Sequence, residues 1–531
     1  GYIDRAFSNL WSYYAEAAYF TKKSSFQFIN FSGKEKTYQS WWGTPESRVF
    51  NDLNGMQEVI VNNGFDEEQK DNLLNSDRTY NHYTYENEID NYQQDHYQFH
   101  YNYDLSNSSN FNLALHYTYG RGYYEQFRKN DLLSNYFNDF ENVYTNLVRR
   151  RWLDNDFYGF TYSYFKQTKK IELTIGGAYN IYKGDHFGKI ISTGIPNMVF
   201  KDPYYLSKSD KKDRNIFIKY NITLSYKLKL FTDMQIRNYS HNSDGSDNDR
   251  SVINFNSKNT FFNPKIGFNF KLNPKSNIYS SIAVANREPI RIDFLDSYEK
   301  PKHETLYDFE FGYNINYNFG FFNTNFYWME YKNQLITTGE LNDVGGYIRT
   351  NAKKSRRVGV EISNRIIIKK FNISSSLTLS KNFVYDFNEV LYDYGSNFNQ
   401  YNIIKNTYLK SNIAFSPEII GYNNIEYKAL KNFTTSFKTK YVGKQYLDNT
   451  SNKNRSINSY LINSLDVEAR LNIKFLKKLL IKFSANNIFN KMYSSNGYTF
   501  GYYAGTDYEV RENYLYPQAG RNYMFSLNIK I

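Results

Sequence analysis

The sequence predicts an all-β chain, a transmembrane antiparallel β-barrel. Three observations carry that expectation. Long segments alternate apolar and polar residues with a period of two. Aromatic residues make up 19 % of the 531 residues, with Tyr 54 and Phe 43. Tight turns and long polar loops follow one another along the chain.

In chain order, the first strand is expected near Trp11 to Tyr19, closing on a turn at Lys22-Lys23. A long polar loop follows, at residues 39–90, reached through Tyr38, Trp41 and Trp42. Tyr97, Phe99, Tyr101 and Tyr103 then alternate with His96, Gln98, His100, Asn102 and Asp104. After a turn at Ser106-Asn107-Ser108-Ser109, Phe111, Leu113, Leu115, Tyr117 and Tyr119 alternate with Asn112, Ala114, His116 and Thr118. Further on, Ile216, Ile218, Tyr220, Ile222, Leu224, Tyr226 and Leu228 form one apolar row, and only Phe217 breaks the polar row beside it. Turns are expected at Gln167-Thr168-Lys169, near Lys229, at Asn273-Pro274-Lys275-Ser276 and at Asn318-Phe319-Gly320. Between the last two, Tyr307, Phe309, Phe311, Tyr313, Ile315 and Tyr317 alternate with Asp308, Glu310, Gly312, Asn314 and Asn316. Three more turns fall at Lys369-Lys370, Leu430-Lys431-Asn432 and Leu476-Lys477-Lys478. Leu465 to Ile473 and Tyr523 to Ile531 complete the set of alternating strands. The other long loops are placed at residues 121–152, 183–211, 242–258, 288–302, 334–352, 385–410, 446–457 and 491–514. This segmentation gives about 19 strands, with short turns at the periplasmic end and long loops outside.

A period of two sends alternate side chains to opposite faces, which no helix of period 3.6 can do. A soluble sandwich or propeller also alternates. Its strands average five or six residues, however, and the segments here run longer. The polar face also carries full charges at successive positions opposite a face dense in Tyr and Phe. That is the pattern of a lipid-facing aromatic band around a polar lumen.

Composition narrows the classes further. No stretch approaches the roughly 20 apolar residues of a membrane helix. The chain has no Cys, which removes disulfides, thiolate metal sites and a Cys nucleophile. Pro is only 9 and Gly 28, and no linker divides the chain, so one domain over residues 1–531 is expected. The chain starts at Gly1 with no secretory signal in view, so a signal was removed or this is an internal piece of something longer.

No HExxH, GxSxG or P-loop pattern occurs, so no catalytic residue is assigned and no enzyme is expected. Acidic residues interleave the basic ones, which argues against a nucleic-acid partner despite the net charge of +12. His96, His100 and His116 face inward from two neighbouring strands. They serve either as lumen hydrogen-bonders or as ligands to a bound group; no metal site and no cofactor are assigned. Arg287, Arg470 and Lys219 also face inward, where they could attract an anionic ligand. The preferred alternative is that the Lys excess belongs to turns and outer loops facing anionic lipid, or reflects codon bias. Trp41 and Trp42 suit either stacking on a ring-bearing ligand or a membrane-interface girdle. The loop they begin is acidic, with Asp66, Glu67, Glu68, Asp71, Glu86, Glu88 and Asp90. The candidate ligand-binding positions are therefore Trp41, Trp42, His96, His100, His116 and Arg287.

Several segments resemble TonB-dependent outer-membrane receptors. Asn486-Asn487-Ile488-Phe489-Asn490-Lys491-Met492-Tyr493 is similar to a motif near the family's last strands. Arg357-Val358-Gly359-Val360-Glu361 and Gly345-Gly346-Tyr347-Ile348-Arg349-Thr350-Asn351 resemble neighbouring family segments. So do Ala285-Asn286-Arg287-Glu288-Pro289, Phe262-Asn263-Pro264-Lys265, Tyr441 to Thr450 and the opening Gly1-Tyr2-Ile3-Asp4-Arg5-Ala6. The resemblance implies a barrel of the 22-strand receptor type, with about three strands and the plug domain lying upstream or on a separate chain. It implies a Gram-negative outer membrane and energy-coupled uptake of a scarce bulky solute through the TonB complex. A ferric siderophore or other iron complex is the first expectation. A passive porin or barrel-type adhesin is the alternative.

Overall fold

The computed structural model describes residues 2–297, 299–343, 345–471, 476 and 478–530. Gly1, Ile473, Lys477 and Ile531, which figured in the expectations above, lie outside the described residues.

Among the described residues the fold is one large sheet of 23 strands, antiparallel apart from a single parallel contact between Asp393 and Tyr503. Four of these, Thr44–Pro45, Asn402–Asn412, Ser494–Tyr503 and Glu509–Pro517, belong to structure built at the long-loop end. The remaining nineteen form a single ladder in which nearly every strand pairs with the next. It runs from Ser8–Phe20 through Ser24–Tyr38 and Ile89–Ser106 to Lys478–Asn486 and Asn522–Lys530. The count matches the expectation from sequence. Among the described residues the two ends of the ladder each have one neighbour: Ser8–Phe20 pairs with Ser24–Tyr38, and Asn522–Lys530 pairs with Lys478–Asn486.

The faces also follow the alternation. Tyr307, Phe309 and Phe311 are exposed on the outer surface, as are Ile216, Ile218, Tyr97, Phe99, Leu115 and Tyr117. Their polar neighbours Asp308 and Glu310 are half-buried on the lumen side. Among the described residues no helix is long and apolar enough to cross a membrane.

Three expectations need correction. The row from Ile216 to Leu228 is not one strand. Tyr205–Thr223 ends before a turn at residues 224–227, and Leu228–Ser246 starts after it, so Lys229 is already inside the next strand. The loop over residues 39–90 is not featureless. It contains the helices Glu46–Phe50, Leu53–Asn62 and Glu67–Asn75, the last with an Asp66/Gln69 capping box. Several strands also extend well past the apolar band. Ser109–Leu132 and Tyr144–Gln167 leave a connection of only residues 133–143 where residues 121–152 had been expected. Polar strand residues outside the membrane alternate less cleanly, so their ends are hard to read from composition.

Candidate mouth site

The helices over residues 46–75 pack on their own small core of Met56, Val59, Ile60, Leu73 and Tyr80. They are tied to the hairpin Ser494–Tyr503/Glu509–Pro517, more than 400 residues away in sequence. Thr44 and Pro45 add a short strand to the hairpin, opposite Leu515 and Tyr514. The amides of Asn62 and Asn63 donate to Glu512 at 3.1 and 2.9 Å, and Asn513 donates to Glu46 at 2.6 Å. The Tyr498 and Tyr516 hydroxyls donate to the carbonyls of Trp42 and Trp41, each at 2.5 Å. The first and last loops therefore form one body at the mouth.

A cavity of ≈ 1030 Å³ lies beside this body. Trp41, Trp42, His82, Tyr83, Tyr498 and Phe500 supply its aromatic wall, and Glu88, Asp66, Glu68, Arg128 and Lys129 its charged groups. Trp42 stacks on His82 with ring centres 4.1 Å apart and meets Tyr514 edge-on at 6.2 Å. Trp41 meets Tyr124 and Tyr83 edge-on at 5.3 and 6.4 Å. Gly345 is needed behind Trp41, because a Cβ there would stand 2.7 Å from the Trp41 Cβ. Both tryptophans are half-buried among loop rings rather than displayed to lipid. Burial drives the His82 imidazole down to about 4 and the Glu88 carboxyl up to about 7. Glu88 is nearly inaccessible and accepts the Phe127 N–H at 2.9 Å. Lys129 bridges Asp66 at 2.7 Å and Glu68 at 3.5 Å and so offsets part of the loop's acidity.

The three histidines do not converge. His96 stacks on Phe31 at 4.2 Å and bonds Thr118 at 3.0 Å. His100 bonds Gln98 at 3.0 Å and lines a separate lumen cavity of ≈ 550 Å³. His116 bonds Asn180 at 2.9 Å. Among the described residues no three His, Cys, Asp or Glu side chains gather as a metal site. The inward cations are paired as well: Arg287 with Glu304 at 2.9 Å, Lys219 with Asp233 at 3.5 Å and Arg470 with Glu468 at 3.2 Å.

A denser ionic group was not anticipated. Arg237 forks onto Glu288 with two bonds of 2.7 Å, and Lys211 reaches the same carboxylate at 2.7 Å. Despite its burial, hydrogen bonds from Arg237 and Lys211 hold the Glu288 carboxyl down at about 2. The helix Arg291–Asp296 follows; Arg291 donates to Ser207 at 2.9 Å, and Arg349 clamps the buried Asp293 at 2.8 and 2.7 Å. Tertiary structure brings these residues together, and only Glu288 and Arg349, each inside a segment that resembles the family, carried a sequence signal. The site as a whole offers rings, paired charges and space. It suits recognition of a bulky ligand.

Comparison with curated protein sequences finds no match. The family model described as TonB dependent receptor-like, beta-barrel matches residues 20–488. Among solved structures, the chain is similar to the siderophore receptor PiuA from Acinetobacter baumannii, with TM-score 0.70 and 14 % identity over 99 % of this chain and 75 % of that one. It is similar to the closed form of the ferric-catecholate import receptor Fiu from E. coli K12, with TM-score 0.68 and 12 % identity over 99 % and 75 %. It is also similar to the copper transporter OprC, with TM-score 0.69 and 11 % identity over 98 % and 72 %. With the family model matching well over half of the chain, the protein belongs to the TonB-dependent receptor β-barrel family.

Proposed function

We propose that this chain is the barrel of an outer-membrane receptor for TonB-dependent uptake of a bulky solute, an iron complex such as a ferric siderophore. The observation that carries the reading is the family match together with a ≈ 1030 Å³ mouth cavity walled by aromatic rings. Rings stack on catecholate-like groups. The likeness to receptors named for ferric complexes supports iron, and the likeness to a copper transporter keeps a copper complex as the second reading. The host is a Gram-negative cell, and the partners are the TonB complex, a plug domain and outer-membrane lipid.

The barrel is completed, in this reading, by about three further strands, which would bring nineteen to the family's 22. Support comes from the two edge strands that have a single neighbour each. The plug and the TonB-contacting segment belong with those strands, upstream or on a separate chain.

Growth and labelled-iron uptake of a deletion strain under iron limitation test the proposal. Uptake should fall, return on complementation and be lost again without TonB. Uptake that persists without TonB would favour the passive porin. A defect confined to copper limitation would move the substrate to copper.

A further inference from the structure

One stretch of the outer wall carries cations seated on aromatic rings. It spans the strands Gly320–Leu341, Tyr347–Ile368, Phe371–Asp393 and Asn402–Asn412. Register pairs Glu330 with Arg356 and Lys332 with Lys354. Across the next two ladders, Lys354 pairs with Tyr385, Arg356 with Phe383, and Tyr385 with Lys410. Residues directly opposite one another share a face. Trp328, two residues before Glu330, is exposed on the outer one. The Arg356 guanidinium lies 4.7 Å from the Trp328 ring centre, Lys354 Nζ 5.5 Å from Tyr385, and Lys410 Nζ 4.0 Å from Phe383. Arg356 is also paired with Glu330, which accepts the Trp328 indole N–H at 2.9 Å. Lys332, Lys354 and Lys410 are exposed and make no ion pair with any described residue.

The height of this patch fits a headgroup layer. A strand rises about 3.4 Å per residue and tilts by about 40°, which gives roughly 2.6 Å per residue along the membrane normal. Trp328 is eight residues above Gly320, hence about 21 Å up, near the outer edge of an apolar band about 25 Å tall. Lys354 is fourteen residues above Ile368, hence about 36 Å up, beyond that band. Beneath the cations the same face continues as Phe326, Val360, Leu379, Ile362 and Leu377. A molecule that has both a phosphate and acyl chains would meet both surfaces at once.

We propose that this wall is a docking site for the phosphate-bearing headgroup of an outer-leaflet lipid, with Lys332, Lys354, Arg356 and Lys410 as its contacts. The assignment rests on the barrel spanning the membrane with its long loops outward. A ring beneath Lys354, Arg356 and Lys410 limits their motion and leaves the other side of each free for an anion, and Lys332 stands directly across the ladder from Lys354. The apolar strip below favours a lipid over free phosphate. Elsewhere on the wall, outward Lys208 faces Asp244 across the ladder, Lys212 reaches Asp210 and Lys258 lies opposite Ser240, and none of the three is seated on a ring among the described residues, so they make a control.

The test uses the receptor extracted from its own outer membrane in mild detergent. Native mass spectrometry counts the phosphorylated lipid retained. The delipidated protein is then titrated with micelles of bis-phosphorylated lipid A and with its dephosphorylated form. The phosphorylated form should bind at least about tenfold more tightly. The triple variant K332Q/K354Q/K410Q should lose that preference, while K208Q/K212Q/K258Q keeps it. Inorganic phosphate at matched concentration should not displace the lipid. Equal binding of the two lipids by the wild type, equal loss in both triple variants, or displacement by phosphate alone would each overturn the proposal. The wild-type comparison decides the matter even if a variant fails to assemble.

Discussion

Phe217 lies directly across the ladder from Gly176, and its ring occupies the space a side chain on Gly176 would need. A Cβ on Gly176 would stand 2.7 Å from the Phe217 Cζ. Three more pairs repeat the relationship: Phe231 with Gly267, Tyr279 with Gly312, and Tyr327 with Gly359. In each, the hypothetical Cβ falls within 2.6 Å of the ring or its hydroxyl. Phe217 therefore breaks the polar row for a reason that its own sequence neighbours do not display.

Gly312→Ala should force the Tyr279 ring aside and strain its hydroxyl bond to Asn325 at 3.0 Å. The expected cost is about 1–3 kcal/mol, the range for overpacking. Urea unfolding followed by heat-dependent gel mobility would read it. A loss below a few tenths of a kcal/mol would mean that the ring is free to move.

Ile218→Lys tests the faces. Ile218 is exposed on the outer wall, five residues before the end of its strand at Thr223, which places it near mid-membrane. The change should cost about 2–4 kcal/mol. Lys219→Ala, which removes a partly exposed pair with Asp233, should cost well under about 1 kcal/mol. Equal losses would reverse the assignment of inside and outside.

The barrel strands were legible because a wall with lipid on one side and water on the other imposes a strict period of two. Tyr307 to Tyr317 shows this most clearly. The site was much less legible. Trp41 and Trp42 were picked out by residue type, and both do line the mouth cavity. Their environment, however, is set by His82, Tyr124 and Tyr514, which a local pattern cannot bring together. Arg237 and Glu288 are 51 residues apart and meet only through register and a loop that folds inward. The helices over residues 46–75 were missed because none is longer than ten residues and each is broken off by Asn, Asp or Gly before a helical row can be read.

The mouth should show two opposing pH dependences. The Glu88 carboxyl is raised from 4.5 to about 7, so its contribution to stability is full below 4.5 and is lost as pH rises toward 7. The His82 imidazole is lowered from 6.5 to about 4, so the unfolded form binds the extra proton between those values and stability rises with pH there. Between about pH 4.5 and 6.5 the two offset each other. Glu88→Gln should leave loop stability rising with pH, and His82→Phe should leave it falling. Hydrogen exchange of residues 39–88 at several pH values would show these slopes, and parallel behaviour of the two variants would refute the assignment.

Arg455 is the hub of a buried ionic cluster, bonding Glu389 at 2.5 Å, Asp448 at 3.0 Å and Glu509 at 3.2 Å. Arg511 joins the same Glu389 at 2.9 Å. Arg455→Met would strip the nearly inaccessible Asp448 of its cation and leave Glu389 with Arg511 alone. The cost should be about 3–5 kcal/mol, the range for removing one partner of a buried pair. Limited proteolysis on whole cells should then cut near residues 504–508, the tip of the hairpin that Glu509 and Arg511 anchor. An unchanged cleavage pattern would show that the hairpin is held by the Tyr498 and Tyr516 bonds instead.

The last prediction concerns closure. Ser8–Phe20 and Asn522–Lys530 each offer one row of backbone groups with no described strand beside it. Water satisfies such groups in solution, but in hydrocarbon each costs several kcal/mol. Thirteen residues on one edge and nine on the other therefore make a ladder of nineteen strands untenable in a bilayer by itself. Direct pairing of these two strands would not solve the problem in the usual way. With an odd count they run in the same direction, whereas bacterial single-chain barrels have even counts and antiparallel seams. The three further strands proposed above would restore both the parity and the seam. Residues 1–531 expressed alone should thus accumulate as heat-insensitive, protease-sensitive material, and co-expression with a segment that supplies the missing strands should yield a heat-modifiable barrel. A closed, protease-resistant barrel formed by residues 1–531 without a partner chain would overturn the proposed 22-strand architecture.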